Sequence, residues 1–101
     1  EKVKILRYEN GGKYKWHTDC GSRETSLRKL TAIVQLSDET KYEGGNLEFG
    51  ITDKSGKNNY TAPRTRGSIT IFPAFLSHRV TPVTKGKRYS LITWMLGDCF
   101  V

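Results

Sequence analysis

The stretch Leu30-Thr31-Ala32-Ile33-Val34-Gln35-Leu36 carries apolar residues at both odd and even positions. Because successive side chains of a strand point to opposite faces of the sheet, this run has apolar groups on both faces, as a strand inside a sandwich does. The run Ser68-Ile69-Thr70-Ile71-Phe72 also shows strand periodicity, with apolar residues at its odd positions. Both stretches therefore predict β-strands.

Five more short runs of β-forming residues lie before, between and after these two stretches. They are Val3–Tyr8, Tyr14–Thr18, Asn46–Phe49, His78–Val80 and Tyr89–Leu96. The segments Glu9–Gly12, Asp38–Gly45, Asp53–Asn59 and Thr84–Lys87 are rich in turn-forming residues and separate the runs, and no clear helix is visible. Many short strands at close spacing predict an all-β fold of the jelly-roll type, with an immunoglobulin-like sandwich and other small barrels as open alternatives.

The length of 101 residues limits the chain to one small domain, which we expect to span residues 1–101. Hydrophobic residues make up 36% and charged residues 27%, which is too much core-forming material for a disordered chain. No apolar run approaches the roughly 20 residues that cross a bilayer, and no signal peptide is visible. We therefore expect a cytoplasmic protein that does not insert into membranes.

The net charge is +7, from 17 Lys and Arg residues against 10 Asp and Glu residues. This excess makes an acidic partner such as nucleic acid worth considering. The charges are scattered through loops, however, and this pattern favours a solvated basic surface. Cys20 and Cys99 lie far apart and outside any CxxC motif, so a reduced pair is our interpretation, with one disulfide left open.

The two histidines of the chain indicate a metal site. His17 and Asp19 are two positions apart on a predicted strand, so their side chains project from the same face. With His78 as a second imidazole, they would form a 2-His-1-carboxylate set that binds non-heme Fe(II) and leaves coordination positions open. This spacing alone is also compatible with surface or core histidines and with a catalytic zinc site.

Arg88 strengthens the metal hypothesis. It begins the strongly β-type run Arg88–Trp94, where a guanidinium offers a planar fork to a carboxylate ligand near the metal. The alternative role is a surface salt bridge at a sheet edge.

Five segments then occur in a recognisable order. They are Tyr8–Asp19, Leu30–Ser37, Glu43–Phe49, Arg66–Pro73 and His78–Leu91. In content and order this chain resembles the Fe(II)- and 2-oxoglutarate-dependent dioxygenases, and within them the prolyl 4-hydroxylase-like branch that includes the PKHD-type hydroxylases. The resemblance extends from Tyr8 almost to the C-terminus.

The resemblance implies a double-stranded β-helix, or jelly roll, with iron at its mouth. It implies that the catalytic residues are the three metal ligands His17, Asp19 and His78, together with Arg88, which would pair with the distal carboxylate of 2-oxoglutarate. It further implies a cosubstrate pocket lined by Tyr8, Ile33 and Leu47. The implied cofactors are Fe(II), the cosubstrate 2-oxoglutarate and O2, with ascorbate as an expected reductant.

Two features depart from the family pattern. Gln35 occupies a position where some prolyl hydroxylases have a tyrosine that helps the arginine to bind 2-oxoglutarate. In addition, the family has N-terminal helices that support the sheet, whereas this chain begins only a few residues before Tyr8. We expect these helices to be absent or truncated.

The implied reaction is hydroxylation of a peptidyl residue, with proline as the favoured target and with release of succinate and CO2. The expected partner is thus a peptide or protein that contains proline. One alternative is an oxidative demethylase of nucleic acid, although such relatives carry a second arginine and an asparagine that the Arg88 strand lacks. Another is a catalytically inactive basic binding module. We expect the loops Gly21–Lys29 and Thr52–Asn59 to cover the pocket mouth and influence substrate choice.

Overall fold

A computed structural model describes residues 2–21, 26–52 and 58–98. It contains nine strands: β1 (Lys4–Glu9), β2 (Tyr14–His17), β3 (Arg28–Gln35), β4 (Tyr42–Gly44), β5 (Leu47–Thr52), β6 (Asn58–Thr61), β7 (Ile69–Pro73), β8 (His78–Val80) and β9 (Val83–Leu96). Within these residues the only helical element is a 3₁₀ turn at Glu39–Lys41, and no helix is long and apolar enough to cross a membrane. The all-β prediction is confirmed.

The strands form two antiparallel sheets. The larger sheet has the order β1-β9-β3-β7, with β4 also paired to β9, and the smaller sheet has the order β2-β8-β5-β6. Strands that are distant in sequence are therefore neighbours. Tyr8 of β1 lies opposite Arg88 of β9, and His17 of β2 lies opposite His78 of β8.

The two sheets share one apolar core, to which β1, β3, β7 and β9 contribute from one side and β5 and β8 from the other. Its buried members are Tyr8, Ile33, Leu47, Phe49, Ala62, Phe72, Val80, Val83, Ile92 and Trp94. Phe49 and Phe72 pack edge to face across the sheets, with ring centroids 4.8 Å apart. The core thus holds the smaller sheet, which carries both histidines, against the larger sheet, which carries the arginine.

The alternation in β7 places its residues on the two faces of the larger sheet. Phe72 points into the core and is only 4% exposed, whereas Ile69 and Ile71 lie on the outer face and are 61% and 59% exposed. The odd-position isoleucines of this strand therefore do not contribute to the core.

One strand and parts of two others fall in segments that the sequence pattern assigned to turns. Residues 38–45 contain β4, residues 53–59 overlap the start of β6, and β9 begins at Val83 and runs through the predicted turn at 84–87. The strand residues in these segments are extended because they pair with other strands: Tyr42 lies opposite Gly86, and Asn58 lies opposite Thr52. Long-range pairing overrides weak local β-propensity here.

The cysteine interpretation is tested only in part. Cys20 carries a free thiol, and its sulfur lies 3.6 Å from the carbonyl oxygen of Ser26. Cys99 lies outside the described residues.

Candidate active site

The inward faces of three adjacent strands in the larger sheet form the floor of a cavity of about 190 Å³. The side chains that line it from this sheet include Leu6 and Tyr8 of β1, Ile33 of β3, and Arg88, Ser90, Ile92 and Trp94 of β9. The residues of β9 recur at every second position because alternate side chains of a strand share one face. One face of one sheet thus presents both polar and apolar groups to the cavity.

The smaller sheet contributes a cluster of possible metal ligands to the same cavity. His17 and His78 are cross-strand partners, and their ring centroids are 4.2 Å apart. Asp19 follows β2, and its backbone N–H donates to the carbonyl oxygen of Ala74 at 2.9 Å. One ligand atom from each of the two histidines and Asp19 lies within 4.8 Å of the others.

The hydrogen bonds of the two imidazoles orient them for metal binding. Nδ1 of His17 lies 2.6 Å from the carbonyl oxygen of Lys15, and Nδ1 of His78 lies 2.9 Å from that of Leu76. A carbonyl oxygen only accepts, so each Nδ1 carries the hydrogen and, in the neutral ring, each Nε2 presents a lone pair. These Nε2 atoms lie 3.3 and 3.4 Å from Oδ1 of Asp19. Three electron-pair donors converge, as a divalent cation requires.

The second carboxylate oxygen of Asp19 is occupied by other partners. Oδ2 accepts from the hydroxyl of Thr31 at 2.7 Å and from the indole N–H of Trp94 at 3.2 Å. Burial alone would raise the pKa of Asp19, but its contacts with His17, His78 and Thr31 hold that pKa well below its ordinary value. The carboxylate is therefore ionised, and its Oδ1 is left to face the imidazoles.

We expect Thr31→Val to weaken metal binding without abolishing it. The change keeps the size of the side chain but removes the hydroxyl that orients Asp19, and loss of such an outer partner costs about 10-fold or somewhat more in metal affinity. Titration with Mn(II), monitored by calorimetry, measures the effect. The control is Thr93→Val, because Thr93 also lies on a strand of the larger sheet but points away from the cavity. Equal Mn(II) affinity in the two variants would contradict an orienting role for Thr31.

Arg88 is buried at the cavity wall, with 1% of its surface exposed. Its Nη2 donates to Oε1 of Gln35 at 2.6 Å, and its Nη1 lies 3.5 Å from the hydroxyl of Ser90. Nε has no hydrogen-bond partner, and burial lowers the pKa of the guanidinium. In the described part of the chain no carboxylate forms an ion pair with Arg88. A buried cation with an unused donor fits an anionic ligand.

The remaining residues predicted for the pocket separate into two groups. Tyr8 and Ile33 line the cavity, and the Tyr8 ring lies 5.2 Å from the Arg88 guanidinium. Burial raises the pKa of the Tyr8 hydroxyl, so it remains a neutral donor. Leu47 is buried in the same core as Tyr8 and Ile33, opposite Val80, but it does not itself line the cavity. The structure therefore does not place Leu47 with the other six site residues.

The sequence pattern did not identify Thr31, Tyr42 or Ser90 as site residues. The positions of two of them could have indicated a role. Thr31 precedes Ile33 by two positions and Ser90 follows Arg88 by two positions, so each shares a face of its strand with a predicted site residue. For Tyr42 no such signal existed. In the loops expected to cover the pocket, residues 22–25 and 53–57 lie outside the described residues.

Comparison with known families shows a match over most of the chain. Residues 3–96 match the model of the 2OG-Fe(II) oxygenase superfamily. The chain is 33% identical over 91 residues to a PKHD-type hydroxylase of Synechococcus sp. (strain CC9605), covering 90% of this chain and 40% of that protein. It is 34% identical over 94 residues to one of Idiomarina loihiensis, covering 93% and 41%. The chain thus spans about two fifths of the length of these relatives.

Solved structures show the same fold. A prolyl-4-hydroxylase of Pseudomonas putida superimposes with a TM-score of 0.77 at 24% identity, over 93% of this chain and 51% of that one. A prolyl hydroxylase of Trichoplax adhaerens, in complex with a peptide fragment of hypoxia inducible factor, gives 0.76 at 19% identity, over 94% and 43%. These similarities confirm the predicted jelly roll.

Proposed function

Because the chain belongs to the 2OG-Fe(II) oxygenase superfamily, in the branch of the PKHD-type hydroxylases, we propose that residues 1–101 form one catalytic domain of an Fe(II)- and 2-oxoglutarate-dependent dioxygenase. The observation that carries this proposal is the convergence of His17, Asp19 and His78 at a cavity that also holds the buried Arg88. A cation site and an anion site share one cavity, as a keto acid bound to iron requires.

Fe(II) would be held by Nε2 of His17, Nε2 of His78 and Oδ1 of Asp19. Two imidazoles and one carboxylate are the donor set of non-heme Fe(II) oxygenases, and they leave coordination positions for cosubstrate and O2. When bound, Fe(II) supplies the chemistry with O2 that couples conversion of 2-oxoglutarate to succinate and CO2 with hydroxylation of the substrate. The hydrogen bonds that each histidine Nδ1 donates and that Oδ2 of Asp19 accepts keep these ligands oriented.

The distal carboxylate of 2-oxoglutarate would bind Arg88, assisted by the hydroxyl of Ser90. A buried guanidinium attracts a carboxylate more strongly than an exposed one because water does not screen the charges. Ile33 and Ile92 supply apolar surface for the methylene carbons, and Tyr8 provides a neutral hydroxyl beside the guanidinium. These side chains also exclude water from the carboxylate.

The proposed substrate is a peptidyl residue, with proline as the favoured target. Support comes from the similarity to PKHD-type hydroxylases and to prolyl hydroxylase structures, one of which contains a peptide. Ascorbate is the proposed reductant that keeps the iron as Fe(II). The cytoplasmic location stays a prediction from the sequence.

Succinate production tests the function directly. The protein is incubated with Fe(II), ascorbate and 2-oxoglutarate, either alone, with proline-rich peptides or with methylated oligonucleotides. We expect succinate to rise with the peptides and to be lost in His17→Ala, because that variant lacks one imidazole ligand. A rise only with oligonucleotides would instead indicate a nucleic-acid demethylase. Absence of succinate under every condition would contradict the oxygenase proposal and favour an inactive basic binding module.

A further inference from the structure

A chain of uncharged hydrogen-bonding groups lies behind Arg88. Oε1 of Gln35 accepts from Nη2 of Arg88 at 2.6 Å, and Nε2 of Gln35 donates to the hydroxyl oxygen of Tyr42 at 2.8 Å. A guanidinium has only donors, so the amide oxygen must face it and the amide N–H must face Tyr42. Gln35 and Tyr42 are 6% and 3% exposed, and neither lines the cavity. The amide therefore has one orientation and is almost fully shielded from solvent.

Tyr42 is itself held by its surroundings. The guanidinium of Arg64 stacks over the Tyr42 ring at 4.4 Å, and it donates to the carbonyl oxygens of Tyr42 and Gly44 and to Oδ1 of Asn46. The backbone of Tyr42 pairs with Gly86 of β9, the strand that carries Arg88. The far end of the hydrogen-bonded chain is thus attached to the same sheet as the arginine.

Close backbone packing restricts the aliphatic part of Arg88. Gly45 has a φ of +63°, and a Cβ atom there would lie 2.9 Å from Cδ of Arg88 and 2.8 Å from Cγ2 of Val83. Only glycine allows this approach. Arg88 is therefore enclosed at its stem by Gly45, at its head by Gln35 and on one side by the Tyr8 ring.

The Gln35 amide, the Ser90 hydroxyl and the Tyr8 ring contact the guanidinium, the Tyr42 hydroxyl lies beside it, and these four groups are neutral. A carboxylate at position 35 would reach the same nitrogen and would neutralise it. An amide oxygen instead accepts from the guanidinium without carrying an opposite charge, so it fixes the group and leaves its charge for a ligand.

From these contacts we propose that Gln35, supported by Tyr42, is a positioning residue for the cosubstrate: it holds Arg88 in place through a neutral contact and keeps its charge for the distal carboxylate of 2-oxoglutarate. This inference rests on the proposed function, because it takes 2-oxoglutarate as the anion. Gln35 acts through Arg88 and does not touch the cosubstrate.

Gln35→Glu tests the inference because the change is nearly isosteric and supplies a better partner for Arg88. The protein is loaded with Mn(II), and binding of 2-oxoglutarate and of 2-oxobutyrate, which lacks the distal carboxylate, is measured by calorimetry. We expect Gln35→Glu to weaken 2-oxoglutarate binding by about 30-fold or more, since the new ion pair competes for the guanidinium. Binding of 2-oxobutyrate and the melting temperature should stay close to those of the native protein.

Asn46→Asp is the matched control, because it also converts an amide into a carboxylate but faces Arg64 instead of Arg88. It should leave the affinities for both acids within about twofold, as expected for a charge that contacts no ligand. Native-like 2-oxoglutarate affinity in Gln35→Glu, or an equal loss for both acids, would overturn the role of Gln35 and leave the proposed function standing. A native protein that binds neither acid would overturn the proposed function as well.

Discussion

Asp19→Asn should abolish succinate formation and lower the affinity for Fe(II) by more than about 100-fold, beyond the cost of losing an outer-sphere partner. The asparagine keeps the size of the side chain, and its amide oxygen can still accept from Thr31 and Trp94. It lacks the negative charge that balances a divalent cation between two imidazoles. The fold should therefore survive while the metal site is lost.

Mn(II) titration by calorimetry and succinate production measure the two effects of Asp19→Asn. Asp98→Asn makes the same chemical change at an exposed position near the end of the described chain, and it should retain native values for both. If Asp19→Asn binds Mn(II) as tightly as the native protein, the carboxylate is not a metal ligand.

Arg88→Met should weaken 2-oxoglutarate binding by about 100-fold, or roughly 2.7 kcal/mol, while leaving the Mn(II) affinity nearly unchanged. Methionine preserves apolar volume beside Gly45 but removes the charge that the distal carboxylate would meet. The metal ligands lie on other elements, and none of their hydrogen bonds involves Arg88. Cosubstrate and metal binding should therefore separate in this variant.

Arg79→Met provides the control for Arg88→Met. Arg79 follows His78 on the same strand, but it forms an ion pair with Glu48 and lies over the Trp16 ring instead of facing the cavity. The Arg79→Met variant should bind both Mn(II) and 2-oxoglutarate as the native protein does. Parallel losses of Mn(II) and 2-oxoglutarate affinity in Arg88→Met would show that the arginine supports the site as a whole and not the carboxylate.

The sequence pattern was sufficient for features that depend on alternation within one strand. The spacing of His17 and Asp19 predicted that both side chains leave the same face of one strand; they do meet at the cavity, although β2 ends at His17 and Asp19 lies just beyond it. The β-type run that starts at Arg88 lies within β9, and Arg88 reaches the cavity from it. The distant His78 could be assigned only through the resemblance to a family, because spacing alone left zinc and surface roles open.

Features that depend on which strands become neighbours could not be read from the sequence. Both β4 and the first half of β9 contain residues typical of turns, and they are strands because each supplies the other with hydrogen-bonding partners. Tyr42 enters the support behind Arg88 only through that pairing. The pocket role of Leu47 stays a prediction from the family pattern: it is buried in the core on β5 and does not line the cavity.

The sequence by itself determined the strand-rich character of the chain, the closeness of His17 and Asp19 along it, and the residue types able to bind a metal and a carboxylate. The tertiary structure decided that His17 lies opposite His78, that Thr31 orients Asp19, and that Gln35 joins Arg88 to Tyr42. The physical reason is that some of these features depend on neighbouring residues and others on residues far apart in the sequence. The alternation of side chains is a local property of any extended backbone, whereas register and neighbourhood arise only when distant strands pair and two sheets close on one core.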